Sequence, residues 1–403
     1  MEQLRILVIH EVSYSKKIVY EYQLFAELLA LKGHNVSVID YDDTGDSVYK
    51  KRKYSRTGIA EVTLENVPYL NLPILKYLTG RLNHRKLIKE KLKNKEFDVV
   101  FLYSVFTNGT NTVRLCKKYN VPVVYRVLDA YHLLRRSYLM MVPLYFGERY
   151  IYRNADVICL TNEAMSEYVN KVAWKNIDDR IKVLLHGVDM SFFQRKEKNK
   201  ELLDRYGINE NDKVLLFVGT TYDFCGMDLI IERFEKIRSK VPNIKLLVVG
   251  HGPLDDKLKQ IVTDKKLEDC VILTGVRPYN EMPDFIRMAD LSLNPFSINP
   301  ITKNIIPIKI LHCLAGGTPM LCTPIRDVVK HFPENKSGVI YADIDNVDSF
   351  IEKIISVVSD SEQLKILSEN AVKYIEQNFL LDKQIDKLEA LLRSVTNHVS
   401  SSK

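Results

Sequence analysis

FSINPITKNIIPIKILHCLAGGTPMLCT, residues 296 to 323, is the stretch on which the reading of this chain turns. Its first half is polar and irregular. Pro307 stands where a proline suits the first turn of a helix, since its ring fixes φ and the N–H it lacks would have no intrahelical partner there. Ile308, Ile310, Leu311 and Leu314 then put apolar side chains on a short buried helix. Ala315-Gly316-Gly317 ends it, glycine supplying a left-handed cap, and Thr318 to Cys322 reads as the next strand. Loop, helix start, glycine and strand form the repeating unit of a wound α/β sheet. Such a helix start turns backbone N–H groups and the positive end of a dipole toward an anion.

The same unit recurs on both sides. Toward the N-terminus, Leu4 to Ile9, Asn35 to Asp40, Asp98 to Tyr103, Pro122 to Leu128, Ala155 to Leu160 and Arg180 to Leu185 are short apolar strands, and Ile59 to Leu64 alternates like another. Helical spacing fills the intervals, so this sheet is expected to be parallel with right-handed crossovers. Tyr49 to Arg56 is basic and reads as loop, and Glu148 to Asn154 as helix. Gln194 to Asp212, rich in Lys, Glu and Asn, reads as linker. The pattern restarts at Val214 to Gly219, Ile244 to Gly250, Val271 to Thr274, Leu291 to Asn294 and Gly338 to Tyr341. Helices follow, the last from about Asp382 to Ser394. The expectation is an α/β chain of two doubly wound, Rossmann-like parallel-sheet domains facing across a cleft. Residues 1–193 form one and 194–379 the other, and residues 380–403 are a helix and polar tail returning to the first.

Bulk properties narrow the function. The 58 Lys and Arg against 51 Asp and Glu leave +7, too weak an excess for nucleic acid but compatible with an anionic ligand or membrane surface. Six cysteines without a C-x-x-C pair read as buried and reduced, hence cytoplasmic. Met1 to Arg5 runs straight into a strand with no signal segment, and no apolar run reaches the roughly 18 residues of a membrane span. The first βα turn lacks G-x-G-x-x-G, which argues against a dinucleotide-dependent dehydrogenase.

Pro307, Lys309, His312, Ala315, Gly317 and Pro319 together resemble the donor-site helix of family 4 glycosyltransferases, retaining enzymes of the GT-B fold. Gly187-Val188-Asp189 with Phe193 is similar to that family's interdomain turn, Gly219 with Gly226-Met227-Asp228 to its glycine-rich donor loop, and Gly250-His251-Gly252-Pro253 to its Gly-Asp-Gly-Pro. The resemblance implies transfer of a sugar, with retention, from a nucleotide-sugar donor (UDP- or GDP-linked) to a lipid-linked or glycan acceptor. It implies no metal: no DxD-like pair stands in the expected place, and no Cys/His cluster has ligand spacing.

The departures fall on the family's charged residues. Its Arg and Lys on the donor diphosphate are replaced by Thr220 and Cys225, and its two glutamates by Asn304 and His312. Two cations and two anions are exchanged together, so local charge barely changes. That fits adaptation to another donor, and it also fits a non-catalytic binding subunit; a nucleotide-sugar epimerase uses similar domains. For catalysis the candidates are Asp129, at a strand's carboxyl end, with Asn304 and Lys309. The donor site is assigned to Gly219, Thr220, Cys225, Gly275, Val276, Lys303, Asn304, Ile305, Ile306, Lys309 and His312. Backbone N–H groups of 304 to 306 would take phosphate oxygens, and Lys303 and Lys309 would replace the lost cations. His312 would meet a ribose hydroxyl and make donor affinity pH-sensitive. Tyr131, His132 and Arg135 are assigned to the acceptor side. From Leu72 to Lys93 leucines interleave with Arg81, Arg85, Lys86 and Lys89, a pattern that suits an anionic membrane surface and a peripheral protein at the inner face of the cell membrane.

Overall fold

The computed structural model describes every residue except 1, 11, 17–18, 20, 41–48, 71, 73–74, 106, 136, 195 and 402–403. The chain divides into two compact units, residues 1–185 with 383–403, and residues 186–382. The first boundary falls eight residues before the one expected, because the strand at 181–183 completes the first sheet and the turn at 186–189 already belongs to the second unit.

In the first unit, eight strands are β1 (Arg5–Ile9), β2 (Asn35–Asp40), β3 (Lys50–Tyr54), β4 (Val62–Asn66), β5 (Val99–Leu102), β6 (Val123–Val127), β7 (Val157–Leu160) and β8 (Ile181–Val183), ordered β3-β4-β2-β1-β5-β6-β7-β8. All neighbours are parallel except β3, which pairs antiparallel with β4, Lys50 opposite Asn66 and Tyr54 opposite Val62. The basic stretch expected as loop is therefore an edge strand. Its KKRKY sequence carries no apolar alternation because neither face is buried, and its charges discourage further pairing at that edge.

A second departure matters for the site. The helix expected over Glu148 to Asn154 starts at Tyr138 and runs to Asn154, with Pro143 and Gly147 inside it. Those two residues, and the outward-facing Tyr138, Leu139 and Phe146, obscured its first half. The helix Leu381–Ser401 completes this unit. Leu388 and Leu392 are fully buried, Lys32 pairs with Asp386 at 2.7 Å and Glu389 at 3.1 Å, and Arg393 donates to the Glu2 carbonyl at 2.7 Å.

The second unit is built on β9 (Lys213–Val218), β10 (Ile244–Val249), β11 (Val271–Gly275), β12 (Leu291–Asn294), β13 (Met320–Cys322) and β14 (Val339–Tyr341), ordered β11-β10-β9-β12-β13-β14 and wholly parallel. The order reverses at β9 and β12. Open α/β sheets receive ligands at the carboxyl ends of strands beside such a reversal. There Gly219 follows β9, and the loop at 295–307 follows β12.

Candidate functional site

The 296–323 stretch folds as loop, a 3-10 turn Thr302–Asn304, the helix Ile308–Ala315 and β13. Pro307 is the residue before the helix (φ −62, ψ 122), one position earlier than expected. The helix ends in a Schellman arrangement: Gly317 sits at φ +79 and donates to Leu314 at 3.0 Å, and Thr318 donates to Cys313 at 2.9 Å. Of the N–H groups assigned to phosphate, that of Ile305 is already engaged by Thr302 at 3.3 Å. Those of Ile308 and Lys309, in the first turn, have no intrahelical acceptor.

Three glycines close the carboxyl ends of neighbouring strands. Gly219 donates to the Val249 carbonyl and Gly250 to the Gly275 carbonyl, both at 3.0 Å. Gly250 lies at φ +149, and a Cβ there would stand 1.9 Å from the Gly219 oxygen. Backbone is thus packed on backbone, and the amine of Lys309 rises beneath it. The Lys309 Nζ lies 4.0 Å from where a Cβ of Gly219 would be. It sits over the rings of Phe217 (3.8 Å) and Phe296 (4.3 Å), is buried, and has no hydrogen-bond partner among the described residues. Burial pulls its pKa down to about 8, against small opposing contributions from Cys225, Cys313 and Cys322.

The other donor-side residues differ in how far they are buried. Cys225 is buried beside the Lys309 amine, and burial lifts its thiol to about 11, so it contributes neither charge nor strong donor. Thr220 and Lys303 are exposed, Val276 is 57% exposed beyond Gly275, and Ile306 is buried. The Asn304 side chain is nearly buried with no hydrogen bond among the described residues. His312 stacks on Phe193 with ring centres 4.3 Å apart. Burial, with His186 adding to it, pushes its pKa down to about 3. His312 is therefore neutral at any working pH, and the pH sensitivity expected of it passes to Lys309.

In the first unit, Asp129 follows β6. Burial raises its carboxyl to about 7 although part of its surface reaches solvent, and it has no hydrogen-bond partner among the described residues. The turn after it carries Tyr131 and His132, with Arg135 exposed at its end. His132 Nδ1 lies 2.6 Å from Glu148 Oε2, and Tyr168 and Tyr152 both donate to Glu148 Oε1, at 2.9 and 3.2 Å. Glu148 and Tyr168 escaped the sequence reading. They are 16 and 36 positions from His132, and no spacing links a turn residue to two later helices. On the helix Leu75–Lys93, Arg81, Arg85, Lys86 and Lys89 are exposed without ion-pair partners among the described residues, beside Leu78 and Leu82, each 55% exposed. Among the described residues no helix is long and apolar enough to cross a membrane.

Residues 20–192 match the family described as Glycosyltransferase Family 4, and residues 198–374 the one described as Glycosyl transferases group 1. The alpha-monoglucosyldiacylglycerol synthase of Streptococcus pneumoniae is 22% identical over 325 residues, 77% of this chain and 70% of that protein. A UDP-Gal:alpha-D-GlcNAc-diphosphoundecaprenol alpha-1,3-galactosyltransferase of Escherichia coli is 24% identical over 332 residues, 80% of each. Among solved structures, Anabaena HepE in complex with UDP-glucose superposes with a TM-score of 0.74 at 15% identity, covering 97% of this chain and all of that one. The two α/β units, each with a wholly or almost wholly parallel sheet, and the matches over both of them assign the fold as GT-B, and the chain belongs to glycosyltransferase family 4.

Proposed function

We propose that this chain transfers a sugar, with retention of configuration, from a nucleotide-sugar donor to a lipid-linked acceptor at an anionic membrane surface. The observation that carries the donor half is the buried amine of Lys309 beneath Gly219, unpartnered among the described residues, at the carboxyl edge where the strand order reverses. A desolvated cation without an anion is costly and is retained where a ligand supplies the missing charge. The donor diphosphate is the natural occupant. Lys309 then stabilises the charge that develops on the leaving diphosphate, taking over from the two family cations that Thr220 and Cys225 replace. First-turn N–H groups at 308 and 309 add to the same field. Asn304 supplies uncharged donors and acceptors to sugar hydroxyls. Asp129, Tyr131, His132 and Arg135 are the residues toward the acceptor.

The lipid half has separate support. Exposed leucines share the helix Leu75–Lys93 with cations that have no ion-pair partner among the described residues, and two relatives carry lipids in their names. UDP is the favoured nucleotide because structural neighbours were solved with UDP or UDP-glucose. A thermal-shift series with UDP, GDP, ADP and dTDP tests the donor half. UDP at 100 times its Kd should add about 2.7 kcal/mol of stability. No shift with any of the four would instead mark a non-catalytic member of the family.

A further inference from the structure

The imidazole of His132 is held by groups that decide where its proton lies. Nδ1 is 2.6 Å from Glu148 Oε2 and 2.9 Å from the Tyr168 hydroxyl, which itself donates to Glu148 Oε1. Glu148 is fully buried, and it also accepts from the Tyr152 hydroxyl and from the backbone N–H groups of Tyr131 (3.2 Å) and His132 (3.4 Å). A carboxylate surrounded by donors accepts and does not give, so the imidazole proton belongs on Nδ1. Nε2 is then a bare lone pair. It has no partner among the described residues, and 11% of the side chain stays open. The ring is fixed as well: it stacks on Tyr168 at 5.7 Å and meets the edge of Tyr145 at 5.1 Å.

A histidine kept only for packing would not require a fully buried carboxylate beside it, since burying that charge is expensive. Here the expense is met on one side of the ring and the other nitrogen is left unused. The turn that carries it is at the carboxyl edge of the sheet, three residues after Asp129. We propose that His132 is a catalytic residue that receives, at Nε2, the hydrogen bond of the incoming acceptor hydroxyl, with Glu148 and Tyr168 as positioning residues that hold this tautomer. The inference rests on the glycosyltransferase reading above and adds the group that aims the nucleophilic oxygen. A hydroxyl whose proton is engaged at Nε2 presents a lone pair to the anomeric carbon in a fixed direction. As that C–O bond forms, the bond from the anomeric carbon to the diphosphate breaks, the diphosphate leaves with the electron pair, and the hydroxyl proton passes to Nε2.

Two measurements on the full chain test it. In nitrogen-15 histidine spectra, His132 should show a protonated Nδ1 and a bare Nε2, and Glu148→Gln should move the proton toward Nε2. A protonated Nε2 in the wild type, or a spectrum that Glu148→Gln leaves unmoved, overturns the proposal. With UDP-glucose as probe donor and water as the smallest acceptor, His132→Ala and Glu148→Gln should each lower kcat about tenfold or more while KM for UDP-glucose stays within about twofold. Tyr168→Phe, which keeps the ring stack, should give a smaller loss in kcat and covers the case in which Glu148→Gln folds poorly. Variants that turn over like the wild type overturn this inference alone. A wild type that neither binds UDP nor releases it from UDP-glucose overturns the reading beneath it, and this inference with it.

Discussion

The ammonium of Lys309 lies 3.8 Å from the ring centre of Phe217, ninety-two residues earlier in the chain, and has no hydrogen-bond partner among the described residues. The ring faces attract the charge, but burial pulls the amine's pKa down to about 8. The unfolded chain holds that proton more tightly than the folded one. Stability is therefore withheld below pH 8, on the order of 3 kcal/mol, and recovered as pH climbs from 8 toward the unfolded value of 10.5. Lys309→Met keeps the length and removes the charge. It should raise Tm by a few degrees at pH 7 and abolish the UDP-induced shift. A variant that melts lower and still responds to UDP would show the amine to be a packing residue.

Above pH 8, donor binding should take up a proton. A diphosphate beside Lys309 raises its pKa in the complex, so affinity is highest below pH 8 and falls about tenfold per pH unit above it, until the pKa of the bound form is reached. His312, neutral throughout, contributes nothing to this slope. Titration calorimetry with UDP at pH 7, 8 and 9, in two buffers of different ionisation enthalpy, reads both the slope and the proton count. A flat profile argues against Lys309 as the phosphate partner.

Gly250→Ala should be among the most damaging single-atom changes in the second unit. The new methyl would stand 1.9 Å from the Gly219 carbonyl oxygen, at a φ that residues with a Cβ rarely adopt. A loss of at least about 2 kcal/mol is expected, and UDP binding should fall further than stability does because the Gly219 turn is displaced. Denaturant unfolding and the UDP shift, measured on one preparation, separate the two effects.

The wound architecture was readable because apolar strands and glycine-ended helices repeat at short intervals, a local signal. What escaped was non-local. Arg126 stands in the apolar run of β6, where nothing nearby announces a charge. Its guanidinium is satisfied by Glu21, 105 positions away, at 2.8 and 2.7 Å, and by the carbonyls of Leu160 and Leu184. Glu148 escaped for the same reason. Lys309 could be named from its neighbours in sequence, but its missing partner and its two aromatic walls come from β9 and the loop after β12. The strand β3 was missed because an edge strand facing solvent on both sides has no hydrophobic period to read.

Glu389 should carry a pH-dependent share of the first unit's stability. Burial alone would raise its pKa, but hydrogen bonds from Arg393 and Lys32 outweigh that and bring it to about 2. Its contribution is then fully present above the ordinary carboxylate pKa and is lost as pH falls toward 2. Glu389→Gln should lower stability by roughly 1 kcal/mol at pH 7, and the gap from wild type should close by about pH 2. A gap that persists in acid would assign the loss to packing.

The membrane surface is tested by sedimentation with vesicles of phosphatidylglycerol and phosphatidylcholine. Wild type should pellet with them at low salt and be released by high salt, since each cation near the surface adds on the order of 1 kcal/mol. Reversing Arg81, Arg85, Lys86 and Lys89 to Glu should leave the chain in the supernatant. Wild type that stays there at low salt would make the acceptor a soluble one.

The return of the helix Leu381–Ser401 to the first unit has a consequence for how the chain is made. Residues 1–185 leave the ribosome before residues 186–382, yet the side chains that seal part of their surface, Leu388 and Leu392 among them, are translated only after that second unit. The first unit must wait, incompletely closed, through the synthesis of the whole second unit. During that interval the ground later covered by the last helix is open to chaperones and to stray association. A fusion partner placed directly after this helix would burden the segment that ends the wait.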